Sequence, residues 1–315
     1  MANVEIRPAS TKELRTVLRL TLGARGQSEA DLEAQVSGFI RYAKELSLDL
    51  TSQWLALVDG RMVTACTCIE SPGRTAVLFL PGQDLAKTNR KLLADLISHV
   101  VENEAGRGMR LLQCLIQPDD ACNRLVLRDV KFTDLTTLLY LEWTADQRAD
   151  QLQPGVPDAL TGHAVEWITY DAGEHRTFAD LIAGTYQDSL DCRGLSGLRH
   201  IEDIILGHKS AGRFDPHRWL LLRCDGAAAG CILCGENPVR SALELVYMGV
   251  HPRFRRMGIG RYLLQQGLSL ACSEGFATVT LAVDIDNAPA LALYESVGFR
   301  RTHSRLAMIR PLNST

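Results

Sequence analysis

The feature that most constrains this fold is an internal repeat. The stretches QWLALVDGRMVTACTCIE, from Gln53, and RWLLLRCDGAAAGCILCGE, from Arg218, each give a tryptophan, an apolar run, an Asp-Gly pair and a second apolar run. An Asp-Gly pair between two such runs predicts a β-hairpin. Farther along, LLQCLIQPDDACNRLVLRDVKF matches TVTLAVDIDNAPALALYESVGF at almost the same offset. Two separate blocks with one spacing predict a duplicated domain.

The repeat divides the chain into two tandem domains, which we predict at residues 1–145 and 163–315. Between them, the segment TADQRADQLQPGVPDALTG contains two prolines and two glycines and has no apolar stripe of helical period. Such a segment is typical of a linker, and we place the linker at 146–162.

Within each copy the apolar pattern predicts an opening strand, helical material, the hairpin, a further strand, a long amphipathic helix, a strand, a short helix and a closing strand. Hairpins early in the copy favour antiparallel pairing, and helical crossovers later require parallel pairing. We therefore expect an α/β fold of the α+β kind: a mixed, mostly antiparallel, twisted sheet flanked by helices.

Charge and composition exclude several classes of protein. The net charge is −3 with a pI of about 6.3, so no overall field attracts nucleic acid or an anionic membrane. The N-terminus lacks the apolar stretch of a signal peptide, and no apolar run approaches the ~18 residues of a membrane span. The nine cysteines are scattered, which favours reduced thiols and a cytoplasmic location. We expect no nucleic-acid or membrane partner, and a monomer or homodimer.

One C-x-x-C pair, Cys231 and Cys234, raises a zinc or redox alternative. Both residues lie in a run that reads as a strand, and strand residues three apart point to opposite faces. No second pair or histidine follows at ligand spacing. The pattern therefore favours a structural role, and we expect no metal.

The stretch VHPRFRRMGIGRYLLQQGLSLA, from Val250, connects a β-rich run to an amphipathic helix. A helix start offers unpaired N–H donors and a partial positive charge. Gly258 and Gly260 let the backbone approach a ligand closely, and the neighbouring arginines add positive charge. The loop therefore predicts a phosphate or pyrophosphate site.

Two familiar phosphate loops fit this stretch poorly. A P-loop ends in Gly-Lys-Ser/Thr, which is absent here. A dinucleotide-binding G-x-G-x-x-G needs a third glycine where Leu263 stands, and it would lie near the start of a parallel domain rather than after a hairpin.

The pattern R-x-x-G-x-G at Arg255, Gly258 and Gly260 is preceded by V-x-P and followed by Asn287 and Tyr294. It resembles the GNAT N-acetyltransferase superfamily, and the whole chain resembles its tandem-domain type, as in mycothiol synthase-like proteins. The resemblance covers about residues 164–310.

The resemblance implies acetyl-CoA as cosubstrate, held by pairing of the strand end with the pantetheine amides and by a ring of loop N–H groups around the pyrophosphate. It implies an N-acetyltransferase that moves acetyl to a primary amine of a small molecule or peptide by direct attack in a ternary complex. The implied cofactor-binding residues are Met248, Gly249, Val250, Arg255, Arg256, Met257, Gly258, Ile259, Gly260, Arg261 and Asn287.

Two catalytic residues follow from the same resemblance. Tyr294 would protonate the departing thiolate, which a phenol of pKa about 10 can do if it is held close. Glu244 would act as general base, usually through water, because deprotonating an amine of pKa about 10 costs roughly 4 kcal/mol at pH 7.

Simpler interpretations of the same residues stay open. Glu244 also suits a solvated strand position, and Tyr294 suits a core position on the short helix. Asn287 before Ala-Pro is also a helix N-cap signature. The arginine cluster also suits a solvated rim or a nucleic-acid patch. A non-catalytic acyl-CoA-binding or sensing protein is the alternative function, and an inert scaffold is a third.

The first copy departs from the pattern. FLPGQDLAKTNRKLLADL keeps Gly82, lacks R-x-x-G-x-G and carries Asp84, which would repel a phosphate. Leu127 stands where the second copy has Tyr294, and Asp120 where it has Asn287. We predict that the first copy is degenerate, does not hold acetyl-CoA in the family's usual way and acts as a structural partner.

The acceptor pocket should come from the first helices of the second copy, in the polar region from Thr185 to Trp219. Its acidic residues suit a cationic amine, but the same residues also suit a solvated loop. The candidates are Tyr186, Asp188, Asp191, Arg193, His200 and Glu202.

Overall fold

The computed structural model describes residues 3–23, 26–145 and 155–312. The chain forms two compact units. The first unit comprises Met1–Thr137 with Ser304–Thr315, and the second comprises Leu138–His303.

The first copy supplies six strands and five helices within the described residues. In chain order they are β1 (Val4–Pro8), α1 (Leu14–Leu22), α2 (Glu29–Glu45), β2 (Gln53–Val58), β3 (Arg61–Ser71), β4 (Thr75–Phe79), α3 (Gln83–Thr88), α4 (Arg90–Gly106), β5 (Leu111–Ile116), α5 (Ala121–Asp129) and β6 (Thr133–Thr144).

The second copy repeats this order without a counterpart of α3, as the repeated sequence blocks predict. Its elements are β7 (Val165–Thr169), α6 (His175–Thr185), α7 (Ile201–Ser210), β8 (Arg213–Cys224), β9 (Ala227–Asn237), β10 (Ala242–Val250), α8 (Ile259–Ser273), β11 (Thr278–Asp284), α9 (Ala288–Val297) and β12 (Arg300–Pro311).

Both hairpins turn at the Asp-Gly pair, as the sequence predicts. Asp59 and Gly60 have φ of 50° and 76°, and Asp225 and Gly226 have φ of 49° and 77°. Positive φ at both central residues is the type I′ geometry that matches the twist of the flanking strands. The fold of each copy therefore begins from a locally encoded hairpin.

Each unit contains a six-stranded mixed sheet. In the first unit the order is β1-β2-β3-β4-β5-β12, and in the second it is β7-β8-β9-β10-β11-β6. The pairs β4–β5 and β10–β11 are parallel, and the other pairs within each unit are antiparallel. The expected mixed, mostly antiparallel sheet with flanking helices is confirmed.

The closing strands are exchanged between the copies. Strand β6 pairs with β11, from Leu138 opposite Asp284 to Thr144 opposite Thr278, and so belongs to the second unit. Strand β12 pairs with β5 and belongs to the first unit. The compact units therefore divide the chain differently from the predicted ranges 1–145 and 163–315, which follow the sequence repeat.

The predicted linker is only partly within the described residues, because 146–154 lie outside them. Its second part contains a short 3₁₀ turn, Asp158–Leu160, and Leu160 is buried in the core of the second unit. This part of the linker is therefore packed rather than free.

The two cysteines of the C-x-x-C pair point to opposite faces of β9. Cys231 packs in a cluster with Phe178 and Trp219, and Cys234 packs in another with Leu243. Burial raises the pKa of each thiol to about 12. Both therefore behave as small apolar core residues.

No helix within the described residues combines the length and the apolar character needed to cross a bilayer.

Candidate active site

The site begins where two parallel strands of the second unit separate. Strands β10 and β11 pair only at Leu243–Val279 and Glu244–Thr280, although β10 continues to Val250. A bulge between Leu245 and Tyr247 interrupts the pairing of β10 with β9 at the same point. Residues 245–250 therefore present an edge with no strand partner toward β11, which is the kind of edge that an extended ligand can pair with.

A cavity of about 350 Å³ occupies this opening. It is bounded by β10, the start of α8, the end of β11 and one face of α9. Seven of the predicted cofactor-binding and catalytic residues line it: Met248, Gly249, Val250, Arg255, Gly260, Asn287 and Tyr294. Six do not line it: Glu244, Arg256, Met257, Gly258, Ile259 and Arg261.

The start of α8 carries a row of unused donors. Within the described residues, none of the backbone N–H groups of 256–261 donates a hydrogen bond, and the first one used is that of Tyr262, to the Gly258 oxygen at 3.1 Å. Arg256 and Gly258 have φ of 65° and 77°. Alternation of left-handed and right-handed residues turns successive N–H groups toward one side, which makes an anion-binding concavity at a helix N-terminus.

Arg255 has a different role from the exposed Arg256 beside it. Its Nη2 donates to the carbonyl oxygens of Thr185, at 3.0 Å, and Gln187, at 2.7 Å, and its Nε donates to that of Val250 at 3.2 Å. These bonds satisfy carbonyl groups at the C-terminus of α6 and fix the segment that follows. The first arginine of the motif is therefore a structural clamp.

Asn287 has both of the roles that the sequence left open. Its side chain caps α9 by accepting a hydrogen bond from the Ala290 N–H at 3.3 Å, and Pro289 follows in the first turn. The same residue lines the cavity. Capping therefore does not remove it from the site.

Tyr294 is buried on α9, with only 6% of its surface exposed, and it still reaches the cavity wall. Burial, helped by the carboxylate of Asp191, raises the pKa of this phenol well above its usual value. No described residue forms a hydrogen bond with its hydroxyl group. At neutral pH the group is therefore a protonated donor facing the cavity.

Glu244 lies on the last paired rung before the strands separate, opposite Thr280. Burial raises the pKa of its carboxyl group, and Arg240 opposes this effect weakly. Its carboxylate has no hydrogen-bond partner among the described residues. A half-buried carboxylate with a raised pKa is a stronger proton acceptor than an exposed one, so Glu244 suits the role of a base.

A second cavity of about 600 Å³ adjoins the first. Six residues line both: Tyr186, Asp188, Ser189, Asp191, Val246 and Tyr247. The larger cavity is formed mainly by the segment between α6 and α7. A molecule in it would therefore reach the end of the cleft between β10 and β11.

The structure separates the acceptor candidates into two groups. Tyr186, Asp188, Asp191 and Arg193 line the larger cavity. His200 instead caps α7 by accepting from an N–H of that helix, and Glu202 bonds the His175 ring at 2.9 Å. These last two residues stabilise helices and do not line the cavity.

Among the residues of the larger cavity that sequence reasoning missed are Arg199, His208 and Tyr247. The Tyr247 hydroxyl lies 2.5 Å from Thr185 Oγ1, and its ring stacks on His208 with centroids 5.1 Å apart. Burial, aided by Arg199, lowers the pKa of His208 to about 4, so its ring is neutral at pH 7. The bulge before Tyr247 shifts the alternation of the strand, so the sequence pattern gave no sign of where this side chain points.

The acceptor segment is anchored at Asp191. Its Oδ1 accepts the N–H of Asp284 at 3.2 Å, and Asp284 Oδ2 accepts the N–H of Cys192 at 2.8 Å. Cys192 has a φ of 45°, which this bond holds in place. Burial raises the pKa of Asp191, and the Asn287 side chain partly offsets this.

The corresponding region of the first unit is closed. Strand β4 pairs with β5 from Thr75 to Leu78, nearly its whole length. Leu127, at the position equivalent to Tyr294, is fully buried, and Asp120 caps α5 as Asn287 caps α9. Helix α4 begins at Arg90, after the separate short helix α3. These features agree with the prediction of a degenerate first copy.

Comparison with known proteins finds a family match over the region of the site. Residues 184–299 match the acetyltransferase (GNAT) family, a range that contains the cleft and all the residues lining the two cavities except Ala183. The chain resembles a GCN5-related N-acetyltransferase from Sphaerobacter thermophilus over 98% of its own length and 96% of that chain, at 18% identity and a TM-score of 0.67. It also resembles a tandem GNAT protein from the clavulanic acid biosynthesis pathway, over 99% and 100% of the two chains, at 18% identity and a TM-score of 0.53.

Residues 184–299 therefore match the GNAT acetyltransferase family, and the fold of the whole chain is that of a tandem GNAT protein. Among curated relatives, a mycothiol acetyltransferase of Kocuria rhizophila is 46% identical over 70 residues, which are 22% of each chain. The chain spans between 22% and 31% of the first curated relatives it matches.

Proposed function

We propose that this GNAT protein transfers the acetyl group of acetyl-CoA to a primary amine of a small molecule or peptide, by direct attack in a ternary complex in its second unit. The observation that carries the proposal is the row of unused N–H groups at 256–261, which lies beside the unpaired edge of β10. The row of N–H groups suits a pyrophosphate, and the strand edge suits the amides of pantetheine.

The cosubstrate would be held by backbone groups along most of its length. Pyrophosphate oxygens accept hydrogen bonds from the start of α8, where the helix dipole also favours negative charge. Pantetheine amides pair with β10 between residues 245 and 250, as an added strand does. Asn287 faces this arm from the start of α9, and the thioester comes to lie near Tyr294 and the shared wall of the two cavities.

The reaction then needs two proton transfers. The amine nitrogen attacks the thioester carbonyl carbon, a C–N bond forms, and the C–S bond breaks. The proton lost by the amine passes to Glu244, through water because Glu244 lines neither cavity. The thiolate takes the phenolic proton of Tyr294, which burial keeps on the oxygen until that moment.

The comparisons support the type of reaction. The matched family is one of acetyltransferases, and several curated relatives are named mycothiol acetyltransferases. The match falls on the second unit, where the cleft is open. We therefore assign the transfer to that unit alone, with the first unit as a structural partner and no metal required.

The proposal can be tested by titrating acetyl-CoA into the wild type and two variants at Gly260, which lines the cleft in the first turn of α8. A Cβ there would meet Leu293 Cδ2 at 3.4 Å and Val250 Cγ2 at 4.0 Å, whereas one at Gly258 would meet Pro157 at 3.0 Å with a positive φ. Gly260→Asp adds a carboxylate where the pyrophosphate would bind, and Gly260→Asn adds the same shape without charge.

Calorimetry should give at least tenfold weaker binding for Gly260→Asp than for Gly260→Asn, because a like charge then lies beside the phosphates. Thermal stability should not fall in the aspartate variant, since an acidic residue at a helix start is favourable. Equal affinities in the two variants would contradict the proposed position of the pyrophosphate. Binding without thiol release across an amine panel would favour a non-catalytic acyl-CoA-binding protein.

A further inference from the structure

The larger cavity contains a cation without an anion. Arg199 lines it, has no ion pair or hydrogen bond with any residue in the described ranges, and has a buried Nε without a partner. Arg199 is half-buried, and a buried N–H donor such as its Nε is costly when it has lost water and has no acceptor. A ligand in the adjoining cavity can supply that acceptor.

The same cavity contains an anion without a cation. Asp191 accepts the Asp284 N–H, at 3.2 Å, but no lysine, arginine or histidine of the described residues forms an ion pair with it. The raised pKa of its carboxyl group agrees with a carboxylate that lacks a compensating positive charge. Asp191 also lines the smaller cavity, so it lies on the side nearer the cleft.

Arg199 and Asp191 do not form an ion pair with each other, although they line one cavity. The remaining charges nearly cancel, since Asp188 and Arg193 also line it and the ring of His208 is neutral. A balanced wall with separated opposite charges favours a ligand that is itself a zwitterion over a dianion such as a phosphate monoester.

We propose that the amine acceptor also carries a carboxylate, which the guanidinium of Arg199 binds while Asp191 receives the ammonium group at the junction of the two cavities. This inference rests on the proposed function and names the chemical class of its substrate. A planar guanidinium group matches a carboxylate with two parallel hydrogen bonds, and an ammonium group beside Asp191 is placed toward the thioester. The volume of about 600 Å³ also accommodates a side chain against the apolar part of the wall.

The test compares free amino acids with their own carboxamides. With saturating acetyl-CoA, thiol release is measured for the twenty standard amino acids and for the same twenty as carboxamides. The best amino acid should exceed its carboxamide by about tenfold to hundredfold in kcat/KM, the range expected for charged hydrogen bonds to a buried group. The inference would be overturned by equal kcat/KM for an acid and its carboxamide, or by a preference for the carboxamide. It would also be overturned if acetyl-CoA binds but none of the acids is acetylated.

Variants connect the preference to Arg199. Arg199→Gln should lower kcat/KM for the acid at least tenfold more than for its carboxamide, and Arg199→Lys should restore part of the difference. Arg176→Gln, on the exposed face of α6, makes the same charge change outside the cavity and should leave the preference intact. An undiminished preference in Arg199→Gln would show that another group binds the carboxylate. If the wild type does not bind acetyl-CoA, that result would instead contradict the proposed function.

Discussion

The guanidinium of Arg255 donates a 2.7 Å hydrogen bond to the backbone carbonyl of Gln187, so the first residue of the glycine motif holds the acceptor segment in place. With the bond to Thr185, the same side chain bonds two carbonyl groups at the end of α6. The motif therefore orders the acceptor side of the site as well as the coenzyme side.

We expect Arg255→Met to loosen the segment after α6, because its carbonyl groups lose their charged donor. Hydrogen exchange followed by mass spectrometry should show faster exchange of the amides in 186–192, and KM for the amine should rise. Arg256→Met, which removes an exposed neighbour, serves as the control. Unchanged exchange in the Arg255 variant would rule out the clamp.

Tyr294→Phe should lower kcat by about tenfold to a thousandfold, in line with the loss of a general acid. Acetyl-CoA affinity from calorimetry should stay within about twofold, because the loop and β10 are untouched. Tyr262→Phe is a matched control, since Tyr262 is equally buried but its hydroxyl accepts from Trp167 Nε1 and lines neither cavity. If both variants lose activity alike, the phenol of Tyr294 has no special role.

Glu244 predicts an acid limit to activity. A base must be ionised, and burial raises the pKa of Glu244, so kcat should fall as pH decreases through a value above that of an exposed glutamate. Glu244→Gln should lower kcat and abolish the fall of kcat at acidic pH, which is the acidic limb of the pH profile. Glu244→Asp should retain an acidic limb. A glutamine variant with the limb unchanged would show that another carboxyl group is titrating.

Glu104 predicts a pH dependence of stability in the first unit. It is fully buried on α4; Ser52 donates to one carboxylate oxygen at 2.7 Å, and the other oxygen has no hydrogen-bond partner. Burial raises its pKa, so its contribution to stability is present at low pH and is lost as pH rises through the raised value.

We therefore expect Glu104→Gln to be more stable than wild type at pH 8 by roughly 1 kcal/mol, with the difference vanishing near pH 4. Thermal unfolding at several pH values measures it. Glu102→Gln, two residues away and exposed, should show no such trend. A variant destabilised at every pH would mean that the carboxylate has a compensating partner in solution.

The features that the sequence predicted are those that depend on neighbouring residues. The Asp-Gly hairpins, the cap at Asn287 and the glycine loop before α8 all form within a few residues. The repeat then placed these features in equivalent positions of the two copies. The degenerate loop of the first copy was visible for the same reason.

The features that escaped prediction depend on contacts far apart in the chain. The exchange of β6 and β12 could not be predicted, because an alternating apolar strand fits the edge of either sheet equally well. Arg199 became a candidate only when α7 and the preceding segment closed a cavity around it. A lone arginine in a polar stretch has no sequence signature of a binding role.

The strand exchange affects when the first sheet can be completed during synthesis of the chain. When residue 137 emerges, the first sheet still lacks its final strand, which is translated only at residues 304–311. The edge of β5 that pairs with β12 therefore has no native partner until the entire second copy has been synthesised. If the two copies are expressed as separate fragments, neither fragment contains all the strands of a native sheet. If the two fragments are expressed together in one cell, they should associate and form both sheets.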